Sequence, residues 1–388
     1  MKGLCTYILP PSEANVSKGH LWQLNKCVYG LNDASREWYL TVREELIKLG
    51  ALPSKYDQAV FTWYQDNKLN GIMSTHVDDF CWAGTVDFEM KVINKIRKVF
   101  MRKSEDSTYF RYLGLDISQN KDAIVIKQDE YVKSVDMIPT KTDYNFSTEL
   151  SDEELKLCRS SIGKLNWLAT QTRPDISHEI SDLTSSLKIK KVESISQINK
   201  SARKAKKISS KLIIPNLSDM ADVKFVAYCD ASFGALAGGG SQGGYIIFLV
   251  GSNDNYLPIA WQSHRIKRVV KSTHAAETLA MVDVMEACLY YRKFLLDLLH
   301  LKDNPLKIPI TCKIDNSALY QSAFSSTQIL DKRLRIETAI IRELIEQKVI
   351  QNLEWIPTAQ QVADGLTKRG VLPGKLLDHV GDPRKPLP

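Results

Sequence analysis

Phe225-Val-Ala-Tyr-Cys-Asp230 is an apolar run that stops at a carboxylate, and it sets the reading of the C-terminal part of this 388-residue chain. With aromatic and β-branched members it reads as a strand, from Val223 to Cys229, with Asp230 at its end. A glycine-rich turn, Gly234 to Gly244, leads into strands at Tyr245 to Val250 and Pro258 to Ser263. A long helix follows from His274 to Leu299, then a strand from Ile308 to Ile314 and a short helix. A helix at Lys332 to Gln347, a strand at Val349 to Trp355 and a final helical turn complete the series. Three consecutive strands followed by alternating helices and strands predict a mixed sheet flanked by helices.

Four acids fall at the ends of these elements. Asp230 closes the first strand, and Glu277 lies in the first turn of the long helix, in Ser272-Thr-His-Ala-Ala-Glu277. Asp315 closes the fourth strand, in Thr311-Cys-Lys-Ile-Asp-Asn316, and Asp364 begins the last helix, in Val362-Ala-Asp-Gly-Leu-Thr-Lys368. Singly, each has an ordinary explanation: turn chemistry at a strand end, a carboxylate complementing a helix dipole, an N-cap. Together they are expected to meet at one sheet edge, where sites of open sheets assemble. Four convergent carboxylates can hold two divalent cations about 3.5–4 Å apart, which activate water and stabilise the leaving oxygen of a phosphodiester.

A second carboxylate pair lies upstream, Asp78-Asp79 in Gly71-Ile-Met-Ser-Thr-His-Val-Asp-Asp-Phe80. A polar hairpin turn explains an isolated Asp-Asp. If the hairpin is buried, the adjacent like charges call for a cation, and hard ions such as Mg²⁺ take carboxylate oxygens together with substrate phosphates. Around the pair, Trp38 to Leu49 reads as an amphipathic helix closed by Gly50. Val60 to Tyr64 and Gly71 to Val77 read as strands about the turn Gln65-Asp-Asn-Lys68. Val92 to Phe100 reads as a helix and Phe110 to Ile117 as one strand. Gln128 to Leu187 is expected to be mainly helical, broken at Pro174.

Lys190 to Leu212 carries Lys190, Lys191, Lys200, Arg203, Lys204, Lys206, Lys207 and Lys211 against Glu193 alone. Its apolar residues recur at three and four, the period of one helical face. The basic face is either solvated or a stripe that tracks phosphates, with Lys200, Arg203, Lys204 and Lys207 as the expected contacts. The composition, 44% apolar and 25% charged, is that of a soluble globular protein of two or three domains. No apolar run reaches the ~18 residues that a membrane helix needs, and Met1 to Pro10 does not read as a secretory signal. Seven cysteines, an odd number with no C-x-x-C pair, indicate neither a zinc site nor a disulfide framework, so an intracellular reducing compartment is expected. The net charge of +7 points, weakly, to a polyanionic partner.

These residues resemble the Pol polyprotein of copia-type (Pseudoviridae) LTR retrotransposons, from within the reverse transcriptase through the RNase H domain. Lys26-Cys-Val-Tyr-Gly-Leu-Asn-Asp-Ala-Ser-Arg-Glu-Trp38 is similar to the family's nucleotide- and template-contacting motif, which implies such contacts for Tyr29, Gly30 and Arg36. His76-Val-Asp-Asp79 resembles the family's Tyr-Val-Asp-Asp, which implies metal-binding roles for Asp78 and Asp79. Tyr112-Leu-Gly-Leu-Asp-Ile117 resembles a Phe-Leu-Gly-Ile-Glu-Ile strand. Ser161-Ile-Gly-Lys-Leu-Asn-Trp-Leu-Ala169 with Thr172-Arg-Pro-Asp-Ile176 is similar to the thumb and connection. Asp230, Glu277, Asp315 and Asp364 match the RNase H acids, which implies two Mg²⁺ or Mn²⁺ ions there.

The implied architecture is α/β (α+β): a partial palm over 1–122, a helical thumb and connection over 123–222, and an RNase H-like domain over 223–388. Two departures stand out. A further metal-binding Asp and the finger elements are expected upstream of Pro10-Pro11, so the polymerase module is expected to be incomplete and inactive. Arg335, in Leu334-Arg-Ile-Glu337, stands where the family usually has His, and a guanidinium does not shuttle protons near neutral pH. The expected activity is Mg²⁺-dependent hydrolysis of the RNA strand of RNA–DNA hybrids. The alternatives are an inactive nucleic-acid-binding remnant or a structural partner of a second Pol chain. Self-association, or association with other Pol or Gag products, is left open.

Overall fold

Strand Lys224–Leu236 is the centre of a five-stranded mixed sheet. Gly240–Val250 pairs antiparallel on one side of it, and Tyr256–Arg265 pairs antiparallel beyond that. On the other side Ile310–Ile314 pairs parallel, followed by Asn352–Trp355, also parallel. The first and fourth strands in sequence are therefore neighbours, and the sheet is mixed and flanked by helices, as expected. These come from a computed structural model, which describes residues 6–17, 19–28, 30–100, 105–140, 145–236, 238–301, 307–325 and 331–388.

The reason for the nearly continuous apolar run is burial on both faces. Phe225 and Ala227 are 0% exposed, and so is Tyr228 on the opposite side of the pleat. Val226, Tyr228, Ile246, Phe248 and Tyr256 pack with Val362, Ala363, Leu366, Leu376 and Val380 into one core. The long helix spans Thr273–Leu298, close to expectation. The glycine-rich stretch differs. The central strand runs past Asp230 to Leu236, and Gly240 already begins its partner, so Gly243 and Gly244 are strand residues. At Gly244 the missing side chain admits another segment rather than a turn. A Cβ on Gly244 would stand 2.8 Å from Leu366 Cβ and 3.0 Å from Thr367 Cγ2.

By contact density the chain divides into two compact units, residues 1–104 with 294–301, and residues 105–293 with 302–388. The first holds helix Ala34–Lys48 and an antiparallel sheet of Leu52–Pro53, Val60–Gln65, Lys68–His76 and Asp79–Gly84. Asp66 and Asn67 both take positive φ, which makes the tight turn read between the strands. Val42, Leu46, Phe61, Trp63, Met73, Phe88 and Ile93 form its core. The Phe88 ring occupies space that only glycine leaves, since a Cβ at either Gly71 or Gly84 would come within 2.4 Å of it. Gly71→Ala is therefore expected to lower stability by about 1–3 kcal/mol, read by urea denaturation. An unchanged midpoint would show that the ring relaxes freely.

The second unit adds a four-stranded antiparallel sheet, in the order Lys211–Pro215, Ala123–Lys127, Leu115–Gln119, Tyr109–Tyr112. The stretch read as one strand, Phe110 to Ile117, is a hairpin, because Leu113 and Gly114 both adopt left-handed backbone. Helices Asp152–Gln171, Ser177–Ser186 and Glu193–Lys207 share a core of Leu155, Cys158, Leu165, Ile180, Ile195 and Ile198. The first is closed by a capping box between Ser151 and Glu154. The basic helix stops at Lys207, not Leu212, since Leu212-Ile-Ile214 pairs instead with Val125 and its neighbours. Among the described residues no helix is long and apolar enough to cross a membrane.

Candidate metal centre

Asp230, Asp315 and Asp364 each offer an oxygen within 4.8 Å of the others. Asp230 is 1% exposed and lies inside its strand rather than at the end, opposite Gly244. Asp315 immediately follows strand Ile310–Ile314, where Asn316 accepts from Leu319 N and caps helix Ser317–Phe324. Asp364 sits within the 3₁₀ turn Val362–Leu366 and is not its cap. That role belongs to buried Gln361, whose side chain accepts from Ala363 N and donates to Cys229 O at 2.9 Å. The helix starts at Thr273, so Glu277 enters from just past the first turn in which the sequence placed it, buried, and accepts from the Ala231 backbone N–H. Its Oε2 has no hydrogen-bond partner among the described residues.

Burial pushes the Glu277 carboxyl up to about 9, with repulsion from Asp230 and Asp315 adding to it. Asp230 is raised to about 6, again by burial first, although Lys368 and Thr367 pull it the other way. Lys368 is a further residue of the site, one to which the sequence motif assigns no role. Its ammonium lies 2.6 Å from Asp364 Oδ1 and 3.3 Å from Asp230 Oδ2, and Thr367 Oγ1 donates to that same Asp230 oxygen. Lys375 reaches Asp364 Oδ2 at 2.9 Å. The signal for Lys368 was its i, i+4 spacing from Asp364. For Lys375, in a separate helix, there was none. An orphaned buried carboxyl oxygen and an all-oxygen donor set fit a hard divalent cation.

The upstream residues are placed differently. His76 pairs with Asp79 across a two-residue loop, Val77-Asp78, and both aspartates are exposed rather than buried. Water can therefore solvate the pair, and burial alone no longer demands a cation. Val77 holds φ 53°, unusual for a β-branched residue, and its carbonyl accepts from Trp38 Nε1. Gly30 has φ 98° with open space around it, so conformation requires glycine there. Arg36 is exposed in the first turn of its helix, and Tyr29 lies outside the described residues. Lys200, Arg203 and Lys207 are exposed on the basic helix. Lys204 turns inward, donating to Glu179 Oε1 at 2.7 Å and Asp175 O at 3.0 Å. Arg335 opens helix Arg335–Glu346, partly buried.

The family described as reverse transcriptase (RNA-dependent DNA polymerase) matches residues 4–148. The retrovirus-related Pol polyprotein from transposon RE1 of Arabidopsis thaliana is 25% identical over 368 residues, 90% of this chain. That from transposon TNT 1-94 of Nicotiana tabacum is 25% identical over 371 residues, 89% of this chain. Over most of its length the chain is similar to copia-type Pol polyproteins. It spans 24% of the RE1 protein and 27% of the TNT 1-94 protein. A crystal structure titled LC11-RNase H1 in complex with RNA/DNA hybrid is 16% identical, with a TM-score of 0.28, covering 40% of this chain and 98% of that one.

Proposed function

We propose that the chain hydrolyses the RNA strand of RNA–DNA hybrids, using two Mg²⁺ or Mn²⁺ ions held by Asp230, Glu277, Asp315 and Asp364. The observation that carries this reading is the convergence of three aspartates within 4.8 Å, beside a buried glutamate with an unpartnered oxygen. Bound ions would supply an activated water and charge stabilisation at the leaving oxygen. Asp230 and Asp315 bind from adjacent strands, fixed by the parallel ladder between them. Asp364 closes the site from its turn, oriented by Lys375. Glu277, held as a neutral acid by burial and by repulsion from Asp230 and Asp315, would serve as a ligand once it released its proton to solvent. A hybrid-cleavage assay with and without Mg²⁺ tests the reading.

A second reading has its own support, because both Asp364 oxygens are already engaged by Lys368 and Lys375. A site neutralised by its own lysines would hold nucleic acid without turnover. The two readings part at the same assay, since only the first gives metal-dependent cuts.

Hybrid binding is proposed to use the exposed side of helix Glu193–Lys207. If Lys200, Arg203 and Lys207 contact phosphates, each adds roughly 0.9 to the log–log salt slope for a duplex, and changing all three to Gln lowers the slope by about 2.7. Lys204→Gln should instead lower stability, since that ammonium serves Glu179 and the Asp175 carbonyl. An unchanged slope in the triple variant would leave the helix face merely solvated.

A further inference from the structure

The turn that carries Asp364 is held from outside the five-stranded sheet. Gln242 is 0% exposed, and its amide nitrogen donates to Ser181 Oγ at 2.9 Å and to Ser263 Oγ at 2.8 Å. Ser263 Oγ in turn donates to the Leu366 carbonyl, within the same turn as Asp364. Because the Ser263 hydroxyl proton is committed to Leu366, Ser263 can only accept from Gln242, which fixes the amide orientation. Ser181 belongs to helix Ser177–Ser186, one residue before Asp182, which accepts from Arg369 just beyond the turn. Trp261, in the strand that also carries Ser263, donates to the Ala169 carbonyl at 2.7 Å and ties in the preceding helix.

We propose that helix Ser177–Ser186 is a positioning element of the metal centre, acting on Asp364 through the Ser181–Gln242–Ser263–Leu366 relay. It rests on the metal-centre reading, but the relay is geometric and can be tested apart from it. Gly244 leaves room for Leu366 and Thr367 to lie on the strand, and apolar packing under the turn is supplemented by polar anchors. The relay holds Leu366, the last residue of the turn, and the Asp182–Arg369 pair holds the chain just beyond it. Thr367 and Lys368, the two groups that contact Asp230, lie between these anchor points. Loosening the relay therefore moves Asp364 and the Asp230 contacts together. Gln242, Ser181 and Ser263 are positioning residues here, since none touches the carboxylates.

Gln242→Met keeps the length of the side chain and removes both donors. It also removes an amide oxygen that has no hydrogen-bond partner, which limits the cost to the fold. In the full chain, two readouts are taken without substrate: backbone amide exchange across 362–369, and Mn²⁺ binding by calorimetry. The expected result is exchange in that segment about tenfold faster and Mn²⁺ affinity about tenfold weaker, the scale seen when outer-shell partners of a metal site are lost. Ser181→Ala, which cuts only the helix side, should shift both readouts in the same direction by a smaller factor, and it serves if Gln242→Met fails to fold. Unchanged exchange in 362–369, or a uniform rise across the whole sheet, overturns the proposal. If wild-type protein takes up no Mn²⁺, the metal-centre reading fails while the exchange measurement still decides the relay.

Discussion

Asp230→Asn abolishes hybrid cleavage, by a factor of roughly 10³ or more, while hybrid binding stays near the wild-type level. The central strand, its pairing with Gly244 and the Thr367 contact can all persist with an amide of the same shape, so the loss falls on the charge. Burial disfavours the ionised Asp230 more than Lys368 and Thr367 favour it, which is why its carboxyl is raised to about 6. Replacing it with a neutral amide should therefore raise the metal-free melting temperature at pH 7. It also removes one source of the repulsion on Glu277. Full activity in this variant would remove Asp230 from the reaction. A collapse of hybrid binding would point to a folding defect instead.

The second large effect is on stability against pH in the absence of metal. Glu277 and Asp230 both bind protons more tightly folded than unfolded, since their carboxyls are raised to about 9 and about 6. With raised folded values, the folded state holds more protons than the unfolded one across the interval. Stability is therefore greatest near and below the ordinary carboxylate range and is lost as pH rises towards these values. Each group contributes up to about 1.4 kcal/mol per pH unit over its own window. Above about 6 the slope belongs to Glu277. Urea denaturation in EDTA at pH 5, 7 and 9 should show a progressive fall in wild type. Glu277→Gln should flatten it and be the more stable protein at pH 9. A flat wild-type profile would mean that Glu277 is not held as a neutral acid.

Much of this arrangement was legible in the sequence because strand and helix periods are strong signals. The adjacency of the Asp230 and Asp315 strands was implied by the family resemblance, not by any local signal. What escaped the sequence is tertiary in origin. Gly243 and Gly244 looked like turn residues, since nothing local reveals that they lie in a strand and that Leu366 and Thr367 lie against Gly244. Asp364 looked like an N-cap because aspartate favours that position, whereas Gln361, a poor capping type, performs the role while anchored to Cys229. The hairpin at Leu113-Gly114 was hidden inside an apolar stretch whose only mark was one glycine. Lys204 carried the same apparent period as Lys200 and Lys207, yet the neighbouring helix supplies Glu179 to draw it inward. Asp78 and Asp79 were found at a hairpin tip as expected, but their exposure depends on packing that composition does not encode.

The account stands or falls on one measurement, cleavage by the wild-type chain of an end-labelled RNA–DNA hybrid in millimolar Mg²⁺ or Mn²⁺. It predicts that the RNA strand alone is cut, that EDTA stops the reaction and that added metal restores it. Intact RNA in both metals, under conditions where the protein binds the hybrid, would contradict it.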